Sequence, residues 1–207
     1  MKYVSLLFVF SLFLLSGCQE QTITDESTRM EPPTVELTEG MVAIEYNSDS
    51  MVRGNKDYMS SEHGKLVVDP NYYEENDFRR GDVVYYKTPT FTYNENPNLD
   101  PPEHNIARIV ALPSETIEIK QGQIYINNKK LDTFYGKLLN RGQNEKEYFN
   151  TINEPGSAEC NEQCQETMKQ YFNKDMDSVE ISSGQIYILG DNGWRSVDSR
   201  IFGPLSI

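Results

Sequence analysis

From residue 40 onward, short apolar runs alternate with turn signals, the pattern of strands bounded by turns. "GMVAIEY" (40–46), "KLVVD" (65–69) and "DVVYYK" (82–87) are such runs, and Arg80-Gly81-Asp82 reads as a turn feeding the third. "IARIVALP" (106–113) predicts a strand stopped by proline. "TIEIKQGQIYINNKKL" (116–131) predicts a hairpin about Gln121-Gly122, and "SSGQIYILGDN" (182–192) returns to strand character. Between them, residues 136–178 are charged and break the pattern. "SAECNEQCQETMKQYF" there has helical composition with Ser157 as N-cap, which predicts an inserted region with one short helix. "FTYNENPNLDPPEHN" (91–105) reads as a long loop. The expected fold is mainly β, with non-local pairing between the first and last thirds of the chain.

The N-terminus has a different character. Lys2 precedes the apolar run "YVSLLFVFSLFLL", which has signal-peptide length and is short for a membrane span. The run ends in Leu15-Ser16-Gly17-Cys18, which resembles a bacterial lipobox. That resemblance implies a signal peptide over residues 1–17 and acylation of Cys18, with the mature chain held on the extracytoplasmic face of a bacterial membrane. Residues 18–39 are polar, contain two prolines and show no period, so they read as a flexible tether to a domain over 40–207. The chain of 207 residues is long enough for one real core. Nineteen basic against 32 acidic residues give a net charge of −13, which sets aside nucleic acid as a partner and excludes a polybasic grip on lipid. Besides Cys18, only Cys160 and Cys164 remain, in "CNEQC". In an oxidising exterior they can pair as a local staple; with neither histidine nearby in sequence, no metal site is expected, and no cofactor.

Four segments carry candidate chemistry: Ser50-Met51 in "YNSDSM", the Arg80-Gly81-Asp82-Val83-Val84 turn and strand, the strand and hairpin from Ala107 to Leu131, and "GDNGWRSVDSR" (190–200). In this order they resemble the type I signal peptidases, membrane-bound serine endopeptidases that cut signal peptides from exported proteins. The resemblance covers residues 41–135 and 182–204 and implies a signal peptidase-like β core with a small α-containing insert. It implies that Ser50 stands at the nucleophile position and Ser48 at that of an oxyanion-hole hydroxyl. Ser196 matches a serine that orients the general base, and Asp198 and Arg200 match an ion pair beside the site, with Asp191 and Asn192 as structural neighbours. In the family the base is a lysine, whose burial lowers its pKa until it can take the serine proton.

The family frame of Lys-Arg, two apolar residues, a small residue and Leu-Pro reads here Ala107-Arg108-Ile109-Val110-Ala111-Leu112-Pro113. Alanine stands at the base position, and a methyl group accepts no proton. The family proline after the Ser-Met pair is absent, since Val52 is followed by Arg53, and the arginine after Gly-Asp-Asn is Gly193. Three readings follow. The chain is a lipid-anchored protein of this fold without normal catalysis that binds an extended peptide, a preprotein or another protein; or an active endopeptidase with a substitute base, for which His104 and Lys56 are the candidates; or a non-catalytic surface scaffold.

Overall fold

The computed structural model describes residues 21–54, 58–92, 100–152, 154 and 159–207. Eleven strands run in chain order among them: β1 (Thr22–Thr24), β2 (Val42–Ile44), β3 (Leu66–Val68), β4 (Val83–Lys87), β5 (His104–Ala111), β6 (Thr116–Lys120), β7 (Gln123–Ile126), β8 (Lys129–Asp132), β9 (Met176–Glu180), β10 (Gln185–Leu189) and β11 (Leu205–Ser206). They form a five-stranded sheet in the order β1-β8-β7-β6-β9, a four-stranded sheet in the order β11-β10-β5-β4, and the pair β2-β3. Five helices are short: α1 (Ser60–His63), α2 (Tyr72–Glu75), α3 (Glu145–Ile152), α4 (Glu162–Phe172) and α5 (Ser199–Phe202). The expected mainly β class is the observed one.

β6 and β7 form the expected antiparallel hairpin, with Gln121 and Gly122 both at positive φ in its turn. A second left-handed pair, Asn127 and Asn128, turns the chain again, so that β8 adds a third strand. Two consecutive positive-φ residues make the tight turn whose twist matches the strands, and asparagine tolerates that backbone better than most side chains. The insert holds two helices and β9, where one helix was expected. α4 starts at Asn161, whose side chain accepts from the Cys164 N–H; Ser157 lies outside the described residues. Cys160 sits just before the helix and is disulfide-bonded to Cys164 in its first turn, with the Cα atoms 5.3 Å apart.

Strand pairing joins the middle of the chain to each end, and not the first third to the last as expected. β1 pairs with β8, β9 with β6, and β10 with β5. The alternation along a strand sets its faces but not its partner. The larger core packs Val110, Ile117, Ile119, Ile124, Ile126 and Leu131 against α4 through Met168, Tyr171 and Phe172. A second cluster gathers Val84, Tyr86, Ala107, Ile109, Ile186 and Ile188 from the four-stranded sheet. β5 therefore supplies both clusters, Val110 and Ala111 to the larger and Ala107 and Ile109 to the second. It is buried from Asn105 to Ala111, which fits a strand at the join between two cores.

Residues 22–28, part of the stretch whose composition read as a flexible tether, lie docked on the domain. β1 runs parallel to β8, Ile23 packs against the larger core, and Asp25 accepts a 2.5 Å hydrogen bond from Tyr135.

Candidate functional site

Ser50 lies in a single 3₁₀ turn, Asp49–Met51, with Ser48 as its N-cap. The Ser48 Oγ accepts from the Ser50 N–H at 3.4 Å, so the two groups expected as oxyanion donors face one another. Met51 is buried with Tyr46 and Ile106 and pins the turn against β5. From the other side, the Asn192 N–H donates to the Ser50 carbonyl at 2.8 Å, and the Asn192 side chain donates to the Asp49 carbonyl at 2.9 Å. The Ser196 hydroxyl lies 3.0 Å from the Ser50 carbonyl and 2.9 Å from that of Asn192. Ser196, matched to a serine that orients the general base, contacts the Ser50 backbone directly. Gly190 makes this approach possible: a Cβ there would lie 1.7 Å from the Ser196 Oγ and 2.7 Å from the Ser50 carbonyl oxygen.

The Ser50 hydroxyl, on a residue only 1% exposed, has two neighbours that sequence reasoning missed. The Tyr46 hydroxyl is 2.6 Å away and the Asn105 Oδ1 is 3.4 Å away. Asn105 Oδ1 also accepts from the Ile106 N–H at 2.9 Å and from the Tyr46 hydroxyl, which identifies that atom as the amide oxygen. Tyr46 has one proton and gives it to Asn105, so Ser50 donates to Tyr46. Burial pushes the Tyr46 phenol above its ordinary value, which keeps it protonated at neutral pH. The relay therefore runs from serine to phenol to amide and contains no group that takes a proton at neutral pH.

Ala107 is two residues beyond Asn105 and thus on the same face of β5. It is 1% exposed and packed in the second cluster. His104 is on the other face, exposed and stacked on Tyr85 with ring centroids 5.3 Å apart, so it is not brought to Ser50. Lys56 lies outside the described residues, as does Cys18.

Two buried ion pairs frame the site. Asp198 and Arg200 form a two-point pair, at 2.8 and 2.7 Å, while Asp198 also caps α5 and accepts from the Gly190 N–H. Burial works against the Arg200 charge, but Asp198 outweighs it and pushes the guanidinium pKa up. Arg108 holds Asp191 through two hydrogen bonds of 2.8 and 2.7 Å and donates to the Gly81 carbonyl. These bonds tie the start of β4 and the centre of β5 to the loop after β10. Arg53 adds a second cation to the same aspartate. Its Nε is 2.8 Å from Asp191 Oδ2, which also accepts from Arg108, but without a well-angled hydrogen bond. Burial, with Arg108 nearby, pulls the Arg53 pKa down. Arg53 also lies over the Phe134 ring at 4.8 Å and borders a cleft of about 470 Å³ with Arg141, Gln143 and Glu147.

Among the described residues no group of histidine, cysteine and carboxylate side chains is arranged to hold a metal ion, and no helix is long and apolar enough to cross a membrane.

Signal peptidase I S of Bacillus subtilis (strain 168) is 28% identical over 97 residues, 47% of this chain and 41% of that one. Signal peptidase I of Bacillus licheniformis is 27% identical over 124 residues, 60% of this chain and 50% of that one. The chain thus spans about half or less of the length of these relatives. A crystal structure of a signal peptidase I from Enterococcus faecalis V583 is similar with a TM-score of 0.38 and 19% identity, over 63% of this chain and 91% of that one. Residues 4–207 match the family described as signal peptidase, peptidase S26, and the chain belongs to that family.

Proposed function

We propose that this protein is a lipid-anchored member of the signal peptidase family that has lost normal catalysis and acts by binding an extended peptide, such as part of a preprotein, or a protein partner. The observation that carries this reading is the path of the Ser50 proton. A serine hydroxyl attacks a peptide carbonyl only when a base removes its proton as the new bond forms. Here the proton points to Tyr46, whose own proton points to the Asn105 amide oxygen. The position matching the family base carries the methyl group of Ala107. The mutual contact of Ser48 and the Ser50 N–H supports the same reading, because donors turned on each other are not aimed at a developing oxyanion.

What remains suits binding. The loops around Ser50 are held by buried ion pairs and by Asn192, and a cleft borders Arg53. Rigid surroundings of this kind lower the ordering cost of capturing a peptide. The Cys18 lipid would place the domain on the extracytoplasmic face of the membrane, where signal peptidases meet exported chains.

The test is to incubate the purified domain with a preprotein, comparing wild type, Ser50→Ala and Ala107→Lys. Binding of preprotein by wild type without cleavage is the expected result. Cleavage by wild type that disappears in Ser50→Ala overturns the reading in favour of an endopeptidase with a substitute base. Absence of both binding and cleavage favours a scaffold. Palmitate labelling that is lost in Cys18→Ser checks the anchor.

A further inference from the structure

The docked N-terminal segment determines how far the domain can stand from an anchor at Cys18. β1 is in register with β8, Thr22 beside Lys130 and Thr24 beside Asp132, and the Gln21 carbonyl accepts from the Lys130 N–H at 2.9 Å. The segment then continues across the domain. Asp25 holds Tyr135, Thr28 fills the space over Gly81, where a Cβ would lie 1.8 Å from its Oγ1, and the Met30 carbonyl accepts from Arg53. Only Gln19 and Glu20 separate Cys18 from the docked stretch. Three Cα–Cα steps span at most about 11 Å, a fraction of the length that a free tether of 18–39 would allow.

We propose that, with Cys18 acylated, this short leash holds one end of the five-stranded sheet against the phospholipid headgroups: the end that carries the Asn127-Asn128 turn and Lys129. The inference rests on the lipid-anchor reading above. The strand register identifies the end. Because β1 is parallel to β8, Gln21 emerges beside the start of β8. β7 runs antiparallel to β8, and β6 antiparallel to β7, so Thr116 and Asn127 are at that end too, joined by a 2.8 Å hydrogen bond. Glu180 pairs with Thr116 and marks the same end of β9. The opposite end is marked by Gln121, whose N–H donates to Asp175 just before β9 begins. The five residues of β9 alone separate the two ends by about 13 Å. Charge does not provide the attraction, since Lys129 and Lys130 share this end with Glu180 in a chain of net charge −13. Covalent geometry sets the distance.

The experiment uses the full acylated chain on vesicles of phosphatidylglycerol and phosphatidylethanolamine that carry a nitroxide on the headgroup. A fluorophore is attached at Lys129→Cys or, as the distal site, at Lys174→Cys, both exposed positions. Headgroup quenching several-fold stronger at 129 than at 174 is expected. Ile23→Asp, which removes the contact of β1 with the core, should bring the two close to equal. Equal quenching at both sites in wild-type protein that floats with the vesicles, or stronger quenching at 174, overturns the proposal alone. Protein that fails to float overturns the anchor reading and the proposal with it.

Discussion

The hydroxyl of Tyr46 lies 2.6 Å from that of Ser50 and accepts its hydrogen bond, because the single phenolic proton of Tyr46 is directed to Asn105. The serine is thus hydrogen-bonded but not activated. A lysine introduced at position 107 would compete with this bond. We expect Ala107→Lys alone to give weak, Ser50-dependent cleavage of a preprotein. Adding Tyr46→Phe should raise the rate by about tenfold, equivalent to about 1.4 kcal/mol in the barrier. Initial rates on a gel, with Ser50→Ala as background, check this. Equal rates for the single and double variants would show that the hydrogen bond to Tyr46 does not restrain the Ser50 hydroxyl.

Asp191 compensates two guanidinium groups, those of Arg108 and Arg53, in surroundings where Arg108 and Asp191 side chains are each 2% exposed. Removing the carboxylate leaves both cations buried without a counter-charge. Asp191→Ala is expected to destabilise the domain by about 3–5 kcal/mol in urea denaturation, as for other broken buried pairs. Replacing Arg108 by lysine should also be costly, since an ammonium cannot make the paired bonds to Asp191 and reach the Gly81 carbonyl together.

Gly190 needs no special φ, yet it has no room for a side chain. The methyl of Gly190→Ala would overlap the Ser196 hydroxyl and press on the Ser50 carbonyl. A loss of about 1–3 kcal/mol is expected from overpacking of this kind. Amide hydrogen exchange should show faster opening at residues 49–51 than in distant β7, and uniform change across both would argue against a local clash.

Asp25 gives the docked N-terminal segment a pH dependence. Burial pushes its pKa up, but hydrogen bonds from Thr28, Tyr135 and Ser27 outweigh this and hold it at about 2. A carboxyl depressed on docking contributes stability above its undocked value, near 3.8, and loses it as pH falls towards 2. Because the group is substantially exposed, the contribution is no more than about 1 kcal/mol. Exchange protection of the β1 amides should therefore fall between about pH 4 and pH 2 in wild type. In Asp25→Asn it should be lower at neutral pH and nearly flat over that window.

Much of the strand content was legible because it is local. The runs at 42–44, 66–68, 83–87 and 185–189 are each a short apolar stretch bounded by polar or turn residues, and the structure places β2, β3, β4 and β10 there. The turn at Asn127-Asn128 was missed although an Asn-Asn pair is a turn signal. The apolar alternation of "QIYI" and the lysines after it read as one continuous arm. Helix α3 was missed because "EKEYFNTI" is charged and half-buried, with no fully buried residue to mark a face. The disulfide partners were readable from spacing and compartment, but the position of Cys160 ahead of the helix depended on Asn161 acting as the cap.

By itself, the sequence determined a mainly β domain, the order of the segments that mark the signal peptidase family, and the presence of a methyl group at position 107. Each of these is a property of neighbouring residues or of their order. Only the tertiary structure decided which groups meet Ser50. Tyr46 and Asn105 are 59 residues apart and touch because the Ser50 turn packs against β5. Ser196 reaches the Ser50 carbonyl across 146 residues because Gly190 leaves it room. Likewise, the polar composition of residues 19–39 suggested a free tether, while pairing with β8 and burial of Ile23 docked part of it. Composition reports what a segment lacks for a core of its own; whether another part of the chain offers it a strand edge is settled by the fold.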